Sequence, residues 1–330
     1  MTAPAPEFKV QVPGMWIPSV RTSMAKELGV QKKILFSTSG GIGDQLCAEP
    51  TLRYALEKFK DVEVSLATLH PYFFTHLNFK QVFDLNSARP RFEDYLVLET
   101  LGSVNPLTQD FMINASTHCV DYASMSALRC QLPNSYKRIQ FQASDPEDEL
   151  TQFMLERDDL VVIHAGKHWP SRTFPAHWWN EVLATILKAG ATPVLIGSDL
   201  NQAQGTVAVN TEGCIDLRNT MTLLQTASFL KHSRVLLTND SGPLHIAATG
   251  DAWIGFIASS KHADFIYHWR KEGFAWRMQD LGLGGMWDVT NACPNEAKIP
   301  NVAEVTQQQL LKWLPSPEEF ANWALHKLEN

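Results

Sequence analysis

The sequence predicts an α/β protein with two doubly wound, mainly parallel sheets, one in each half of the chain. Short apolar runs alternate with amphipathic helical patterns through the first half, and the same alternation restarts after an acidic stretch near residue 150. The length of 330 residues also favours two domains over one. In open sheets of this kind, ligands bind outside the carboxyl ends of the strands, so we expect a site in a cleft between the domains.

The first half is predicted to contain a leader and one domain. Residues 1–31 are rich in proline and polar groups, and we expect them to form an irregular leader. Residues 32–150 form the predicted N-terminal domain, in which a helical apolar pattern follows the first apolar run. The predicted strands of this domain are KKILFSTS, VEVSLAT, QVFDL, DYLVLE and YKRIQFQ.

The second half repeats the alternation over residues 151–315, the predicted C-terminal domain. Its predicted strands are LVVIHAG, TPVLIGS, CIDL, RVLLTND and WIGFIAS, and its predicted helices are AHWWNEVLATILKAG, TLLQTASFLKHS and SGPLHIAATG. Residues 316–330, SPEEFANWALHKLEN, predict a terminal amphipathic helix, in which Ser316 is the N-cap and Glu319 completes a capping box.

Composition argues against several classes of function. A formal net charge of -7 argues against a general nucleic-acid-binding protein, because no positive surplus is present to replace phosphate counterions. Five scattered cysteines without a C-x-x-C pair indicate reduced thiols in the cytoplasm rather than a disulfide framework or a zinc site. We see no charged leader before an apolar stretch and no apolar run of membrane-spanning length, so we expect any membrane contact to be peripheral.

The first candidate segment is SGGIGD, a glycine turn between the first strand and the first helix. It contains Gly40, Gly41, Gly43 and Asp44. It lacks the G-x-G-x-x-G spacing of a dinucleotide fingerprint, and it lacks the Gly-Lys-Ser/Thr of a P-loop. Two interpretations of the aspartate stay open: it caps the helix, or it is a general base for a hydroxyl nucleophile.

The second candidate segment is HAGKHWPSRTFPAHWW, which follows a strand and leads into a helix. Lys167, His168 and Arg172 lie within six residues of one another. Cations beside glycine and a helix N-terminus can bind a diphosphate without a metal ion. The alternative is a solvated basic loop without a ligand.

The third candidate segment is TNDSGPLHIAATG, another turn from a strand to a helix. Asp240 or Ser241 is expected to cap the helix, and the amides near Gly242 would face an anion. His245, one turn into the helix, either donates a hydrogen bond to a phosphate or fills a position in the core.

Together, GGIGDQLCAEPTLRYAL, HAGKHWPSRTFPAHWW and TNDSGPLHIAA resemble the hallmark segments of family-nine glycosyltransferases, the ADP-heptose:lipopolysaccharide heptosyltransferase type. The resemblance covers about residues 33–260. It implies a GT-B fold, with two Rossmann-like doubly wound domains facing a central cleft. It also implies that the N-terminal domain binds the acceptor and the C-terminal domain binds the nucleotide sugar. In such proteins the terminal helix often crosses back to the N-terminal domain, and we expect the same here.

The resemblance further implies an inverting transfer that needs no metal ion and no cofactor besides the nucleotide-sugar co-substrate. Asp44 matches the catalytic base. The other implied site residues are Lys167 and Arg172 at the diphosphate, Asp240, Ser241, Gly242 and His245 at the phosphates and sugar, Met221 against the nucleotide base, and Asp199 near the ribose.

The sequence leaves the identities of the donor sugar and of the acceptor partly open. The family implies an ADP-linked heptose or a similar donor, and an acceptor in lipopolysaccharide or another surface glycan, reached from the cytoplasm at the inner face of the membrane. The segment HPYFFTHLNFKQVF offers aromatic residues but few cations for such an acceptor. The alternatives are a modified DNA base or a protein as acceptor, a nucleotide-sugar epimerase or hydrolase, and a silent nucleotide-sugar-binding protein. Residues 274–296 have no role that we can assign.

Overall fold

The chain divides into two compact units, Met1–Phe141 and Gln142–Asn330. The computed structural model describes residues 10–12, 15–17, 33–100, 119–128, 130–141, 148–167, 172–199, 205–258, 273–277, 310–311 and 314–329. The boundary lies before residue 142 rather than after residue 150, because the helix Glu149–Leu155 belongs to the second unit. There the hydroxyl of Thr151 lies 3.0 Å from that of Ser228, on another helix of the same unit.

The first unit contains a short ribbon and a four-stranded sheet. Its strands are β1 (Val10–Val12), β2 (Met15–Ile17), β3 (Lys33–Ser37), β4 (Glu63–Thr68), β5 (Val82–Asp84) and β6 (Leu96–Glu99), and its described helices are α1 (Ile42–Lys58) and α2 (Cys119–Leu128). Strands β1 and β2 pair antiparallel, so the leader that we expected to be irregular contains a two-stranded ribbon.

The sheet of the first unit is parallel throughout, with the order β5-β4-β3-β6. Ile34, Leu35 and Phe36 of β3 are fully buried, because this strand lies between β4 and β6 in the interior of the sheet. The chain moves outward from β3 in both directions. The topological switch point therefore lies at the carboxyl ends of β3 and β6, next to the glycine turn.

One predicted strand of this unit is absent. The segment YKRIQFQ begins at the end of a 3-10 turn, Asn134–Tyr136, and pairs with no strand in the described residues. The amide of Gln140 donates to the buried carboxylate of Glu49 on α1 (2.8 Å), not to a neighbouring strand. The prediction was wrong because the alternation of buried Ile139 and Phe141 reflects packing of an irregular segment.

The second unit contains a larger parallel sheet. Its strands are β7 (Leu160–His164), β8 (Gly166–Lys167), β9 (Thr192–Leu195), β10 (Gly205–Thr206), β11 (Ile215–Asp216), β12 (Val235–Asn239), β13 (Trp253–Ala258) and β14 (Gly273–Arg277). Its described helices are α3 (Glu149–Leu155), α4 (Ala176–Lys188), α5 (Leu223–His232), α6 (Gly242–Ala247) and α7 (Pro317–Glu329).

Six of these strands form the sheet in the order β11-β9-β7-β12-β13-β14, and β8 pairs antiparallel with β10 beside it. Numbered along the chain, the six strands follow the order 3-2-1-4-5-6 of dinucleotide-binding folds. The switch point lies between β7 and β12, which are hydrogen-bonded neighbours. A ligand of this unit is therefore expected at the carboxyl ends of those two strands.

Aromatic packing holds the terminal helix α7 in the second unit. Phe320 is fully buried and contacts the rings of Trp178 and Trp179 on α4, with ring centroids 5.4 and 6.1 Å away. The indole N–H of Trp178 donates to the carbonyl of Pro315 just before the helix (2.9 Å). The apolar face of α7 is thus buried in the core of the second unit, which differs from the expectation of a helix crossing back to the first.

The four described cysteines form no disulfide, although the Sγ atoms of Cys47 and Cys119 lie 3.2 Å apart between α1 and α2. Cys293 lies outside the described residues. In the described segments, no helix is both long and apolar enough to cross a membrane.

The packing of Phe320 predicts a large stability effect. Phe320→Ala removes a buried ring between α4 and α7 and is expected to lower the free energy of unfolding by about 3 kcal/mol or more. Urea denaturation followed by tryptophan fluorescence measures this change. Asn322→Ala, on the exposed side of the same helix, is the control and is expected to stay within about 0.5 kcal/mol of wild type. Equal midpoints for the two variants would contradict this packing.

Candidate functional site

The glycine turn of the first unit presents an exposed carboxylate. Gly41 is the N-cap of α1, and Asp44 is the third helical residue. The amide of Gly41 donates to the Asp44 Oδ2 atom (2.9 Å). Gly40 has a φ of +91°, and a Cβ atom there would lie 2.7 Å from the same oxygen. A side chain at position 40 would therefore displace the aspartate. Asp44 does cap the helix through one oxygen, while its side chain stays exposed at the switch point.

A buried glutamine supports this turn from behind. The Gln45 side chain is fully buried, donates to the carbonyl of Gly40 (3.0 Å) and accepts from the hydroxyl of Thr68 (2.6 Å). Thr68 is the last residue of β4, so the turn after β3 is tied to the end of the neighbouring strand. The position of Asp44 is therefore set by contacts within the sheet as well as by its own helix.

At the switch point of the second unit, a histidine joins two strands. His164 ends β7, and its Nδ1 atom lies 3.0 Å from the hydroxyl of Ser241 and 3.3 Å from that of Thr238. Ser241 is the N-cap residue of α6, as expected, but its side chain makes no capping hydrogen bond. The expectation that it caps through its side chain is corrected, because the hydroxyl is engaged by His164 instead.

Burial keeps His164 neutral. Desolvation lowers the pKa of its imidazole to about 4, against the opposing effects of a hydrogen bond to Asn239 and of the charge of Asp199. The ring therefore adds no charge to the site near neutral pH. Its contribution is to fix the orientation of the Ser241 hydroxyl.

The two oppositely charged residues expected at the phosphates form a buried pair. Arg172 Nη2 lies 2.9 Å from Asp240 Oδ2, and both side chains are largely buried. The residues are far apart in sequence, and the adjacency of β7 and β12 brings them together. His245 follows on α6, with its Nε2 atom 4.0 Å from the other oxygen of Asp240. The carboxylate orients the guanidinium and offsets its charge.

Asn239 links the segments that carry these residues. Its side-chain amide donates to the carbonyls of Gly166 (3.0 Å) and Arg172 (2.6 Å). A Cβ atom at position 166 would lie 2.5 Å from the Asn239 Oδ1 atom, so this contact requires glycine. Lys167 follows and is exposed at the end of β8, where it can reach an anion. His168 lies outside the described residues.

Asp199 and Met221 lie at neighbouring strand ends of the same sheet, after β9 and β11. The Oδ1 atom of Asp199 accepts from the amide (2.6 Å) and hydroxyl (2.8 Å) of Thr206, and Asn219 exchanges hydrogen bonds with Asp199. Burial opposes ionisation, but these hydrogen bonds outweigh it and hold the pKa of Asp199 below its ordinary value. The Oδ1 atom of Asp199 therefore holds β10 in place through Thr206. A ribose contact by Asp199 and a base contact by half-buried Met221 stay predictions.

Two residues of the site, His164 and Asn239, did not emerge from sequence reasoning. Each is a polar residue at the carboxyl end of a buried apolar strand, which is the signal that could have indicated them. That signal is ambiguous without the strand order.

Among the described residues, no group of three or more His, Cys, Asp or Glu side chains could hold a metal ion. The metal-independent reaction stays a prediction.

Comparisons with known proteins agree with this architecture. Residues 112–263 match the model of glycosyltransferase family 9 (heptosyltransferase). No curated protein matches the chain. A family 9 glycosyl transferase from Veillonella parvula is similar in structure, with a TM-score of 0.58 and 13% sequence identity over 89% of this chain and 98% of that one. E. coli ADP-heptose lps heptosyltransferase II has a TM-score of 0.52 and 15% identity over 90% of this chain and 100% of that one. The dodecameric iron-containing heptosyltransferase TibC of E. coli, in complex with ADP-D-beta-D-heptose, has a TM-score of 0.61 and 13% identity over 97% of this chain and 81% of that one.

The sheets and the similar structures define a fold of the GT-B type. The match to the model of glycosyltransferase family 9 (heptosyltransferase) covers residues 112–263, just under half of the chain, and supports a glycosyltransferase.

The buried imidazole predicts a pH-dependent stability. As pH falls below 6.5, the unfolded chain protonates His164, whereas the folded protein excludes this proton until about pH 4. The stability is therefore complete above pH 6.5, and roughly 3 kcal/mol is lost between pH 6.5 and 4. Urea midpoints across this range should fall more steeply for wild type than for His164→Gln. The exposed His177→Gln is the control and should keep the wild-type slope. Parallel slopes for all three proteins would contradict a buried neutral ring.

Proposed function

We propose that the protein transfers a sugar, with inversion, from an ADP-linked donor to an acceptor hydroxyl. The observation that carries the proposal is the pair of switch-point sites, an exposed carboxylate on a glycine turn in one unit and a buried Arg172–Asp240 pair in the other. The TibC structure contains ADP-D-beta-D-heptose, which supports a heptose of this kind as the donor sugar.

Asp44 acts as the general base in this proposal. Its carboxylate removes the proton of the acceptor hydroxyl while that oxygen attacks the anomeric carbon of the donor. The bond from the anomeric carbon to the diphosphate breaks on the opposite face, so the configuration inverts. A carboxylate is a weak base, so positioning must supply much of the rate. The contacts behind Asp44, from Gly41 and through the buried Gln45, provide such positioning.

The second unit stabilises the departing diphosphate. The leaving group gains negative charge, which the Arg172 guanidinium, the exposed Lys167 and the Gly242 amide offset. Asp240 holds the guanidinium in place before the ligand arrives. Ser241 and His245 bind the phosphates and the sugar. In this scheme side-chain cations take the place of a metal ion.

The nucleoside lies along the strand ends beside β7. Asp199 follows the second strand in chain order of this sheet, the position from which an acidic residue binds a ribose hydroxyl in dinucleotide-binding folds. Met221 lies at the end of the next strand and packs against the base. Both positions belong to the same edge of the sheet as the Arg172–Asp240 pair.

The acceptor is a surface glycan such as lipopolysaccharide, modified in the cytoplasm at the inner face of the membrane. Transfer to a protein or a modified DNA base, epimerisation and silent binding are the alternatives. Products formed from the donor alone would favour an epimerase or a hydrolase, and binding without any product would favour a silent module.

Asp44→Asn tests the base directly. The amide keeps the shape but cannot accept the proton, so we expect ADP release in the presence of acceptor to fall at least about 100-fold. Calorimetry with ADP should show unchanged affinity, because the nucleotide binds the second unit. Asp61→Asn, also exposed in the first unit, is the matched control and should keep full activity. Full turnover by Asp44→Asn would show that another group is the base.

Arg172→Ala tests the diphosphate site. Loss of a charge-assisted contact is expected to weaken ADP binding about 10- to 100-fold in calorimetry. Arg172→Lys keeps the charge without the forked donors and should fall between wild type and the alanine variant. Arg234→Ala, at an exposed arginine in the same unit, is the control. Wild-type ADP affinity in a folded Arg172→Ala protein would remove this residue from the donor site.

A further inference from the structure

A hydrogen-bonded chain runs along the sheet edge from the glycine turn to two aromatic residues. The Thr68 hydroxyl, which donates to Gln45, also accepts from the amide of His70 (3.2 Å). The Tyr72 hydroxyl lies 2.8 Å from the Nδ1 atom of His70. His70 and Tyr72 follow β4, and Asp44 follows the neighbouring parallel strand β3. The two aromatic residues therefore lie at the same edge of the sheet as the carboxylate.

These rings form an amphipathic surface. The His70 and Tyr72 rings are half-buried, pack against each other and both contact the fully buried Phe73, with centroids 4.7 to 6.0 Å apart. The Nε2 atom of His70 has no protein partner in the part of the chain that the structure describes. An aromatic face with unused polar atoms at its rim can bind a sugar by stacking and hydrogen bonding.

Among the described residues, the charge that acts on these two rings is negative. Asp84 at the end of β5 acts electrostatically on both rings. Desolvation lowers the pKa of His70 in spite of that carboxylate, so the ring is neutral at neutral pH. Asp84 is held there by Asn86, which donates to Asp84 Oδ1 (2.9 Å) and also to the carbonyl of Leu69 (2.7 Å) before His70.

The described residues at the same edge include few cations. The segment 38–42, which follows β3, contains no lysine or arginine. Of the two arginines after β5, Arg91 is paired with Glu93 (3.1 Å) and Asp94 (3.8 Å), and Arg89 is exposed. Carboxylates at Asp44 and Asp84 repel an acceptor that carries phosphate or carboxylate groups.

We infer that His70 and Tyr72 form an acceptor subsite for an uncharged sugar, and that Asp84 selects against phosphorylated acceptors. This inference rests on the proposed function, since it concerns the acceptor of the same transfer. The sugar ring packs on Tyr72 while its hydroxyls bond to the Tyr72 hydroxyl and His70 Nε2. Thr68 and Gln45 position this pair relative to the turn that carries Asp44.

Acceptor selection is measured with ADP-heptose as donor and ADP release as readout. The probes are neutral methyl hexosides and heptosides, the same glycosides carrying a phosphate, and a serine-containing peptide. Wild type should use the best neutral glycoside at least about tenfold better, in kcat/KM, than its phosphorylated form. Asp84→Asn should narrow this difference by raising use of the phosphorylated probe. Arg89→Ala is the charge control and should leave use of the neutral glycoside unchanged.

The roles of His70 and Tyr72 are tested by measuring whether their substitution changes the KM for the acceptor or the kcat of the transfer. Tyr72→Phe should raise the KM for the neutral glycoside about fivefold and leave the KM for ADP-heptose unchanged. His70→Phe should do the same, and His70→Gln should restore part of the loss because its amide also donates a hydrogen bond. Tyr54→Phe and His177→Gln are the matched controls. Unchanged melting temperatures exclude a general loss of structure.

The outcomes separate this inference from the proposed function. A preference for phosphorylated glycosides, transfer to the serine peptide alone, or an unchanged acceptor KM in both Tyr72→Phe and His70→Phe overturns the inference. ADP-heptose binding by calorimetry without transfer to any neutral glycoside overturns it as well, and leaves the donor site standing. An absence of ADP-heptose binding overturns both.

Discussion

The amide side chain of Asn239 is the contact on which the second unit's site depends. Its nitrogen donates to two backbone carbonyls, those of Gly166 and Arg172, and so fixes the path of the segment that leaves β7. A buried amide is costly unless it is hydrogen-bonded, and these two partners satisfy it. The contact exists only because β7 and β12 are neighbours. Strand order thus determines where the guanidinium lies.

Charge compensation follows from this geometry. Arg172 and Asp240 are largely buried and paired, and the imidazole of His164 is neutral. Among the described residues of this site, the buried charges are therefore paired, and an isolated buried charge would be costly. The carboxylate of Asp240 therefore orients the guanidinium within the protein itself. The exposed Lys167 keeps its charge in water, at little desolvation cost.

Sequence patterns predicted the strands and helices well where one face of the element, or the whole element, is buried. Strands β3 and β7 are apolar runs, and each lies where the pattern predicts it. The false strand after Asn134–Tyr136 shows the limit, because alternating burial does not require a neighbouring strand. In the leader, the two strands of the ribbon are only three residues long and stand among prolines, which favoured an irregular segment.

The candidate site was predictable only in part, for a related reason. Asp44, Arg172 and Asp240 stand in motifs whose composition signals a turn. His164 and Asn239 acquire their roles from neighbours on another strand, and lateral order is not encoded in local periodicity. The Asp240–Arg172 pairing is of the same kind, since each residue alone was predicted to face a ligand rather than the other.

The two units share the strand order 3-2-1-4 around their switch points, and the helix starts beside those points differ. In the first unit helix α1 follows the first strand, β3, whereas in the second unit α6 follows the fourth strand, β12. In the first unit, Asp44 occupies the amide of Gly41, so the helix start already carries a negative charge and repels an anion. In the second, Ser241 turns its hydroxyl to His164 and leaves α6 without a side-chain cap. The backbone amides at the second helix start are therefore without a side-chain cap, whereas those at the first are capped by a carboxylate.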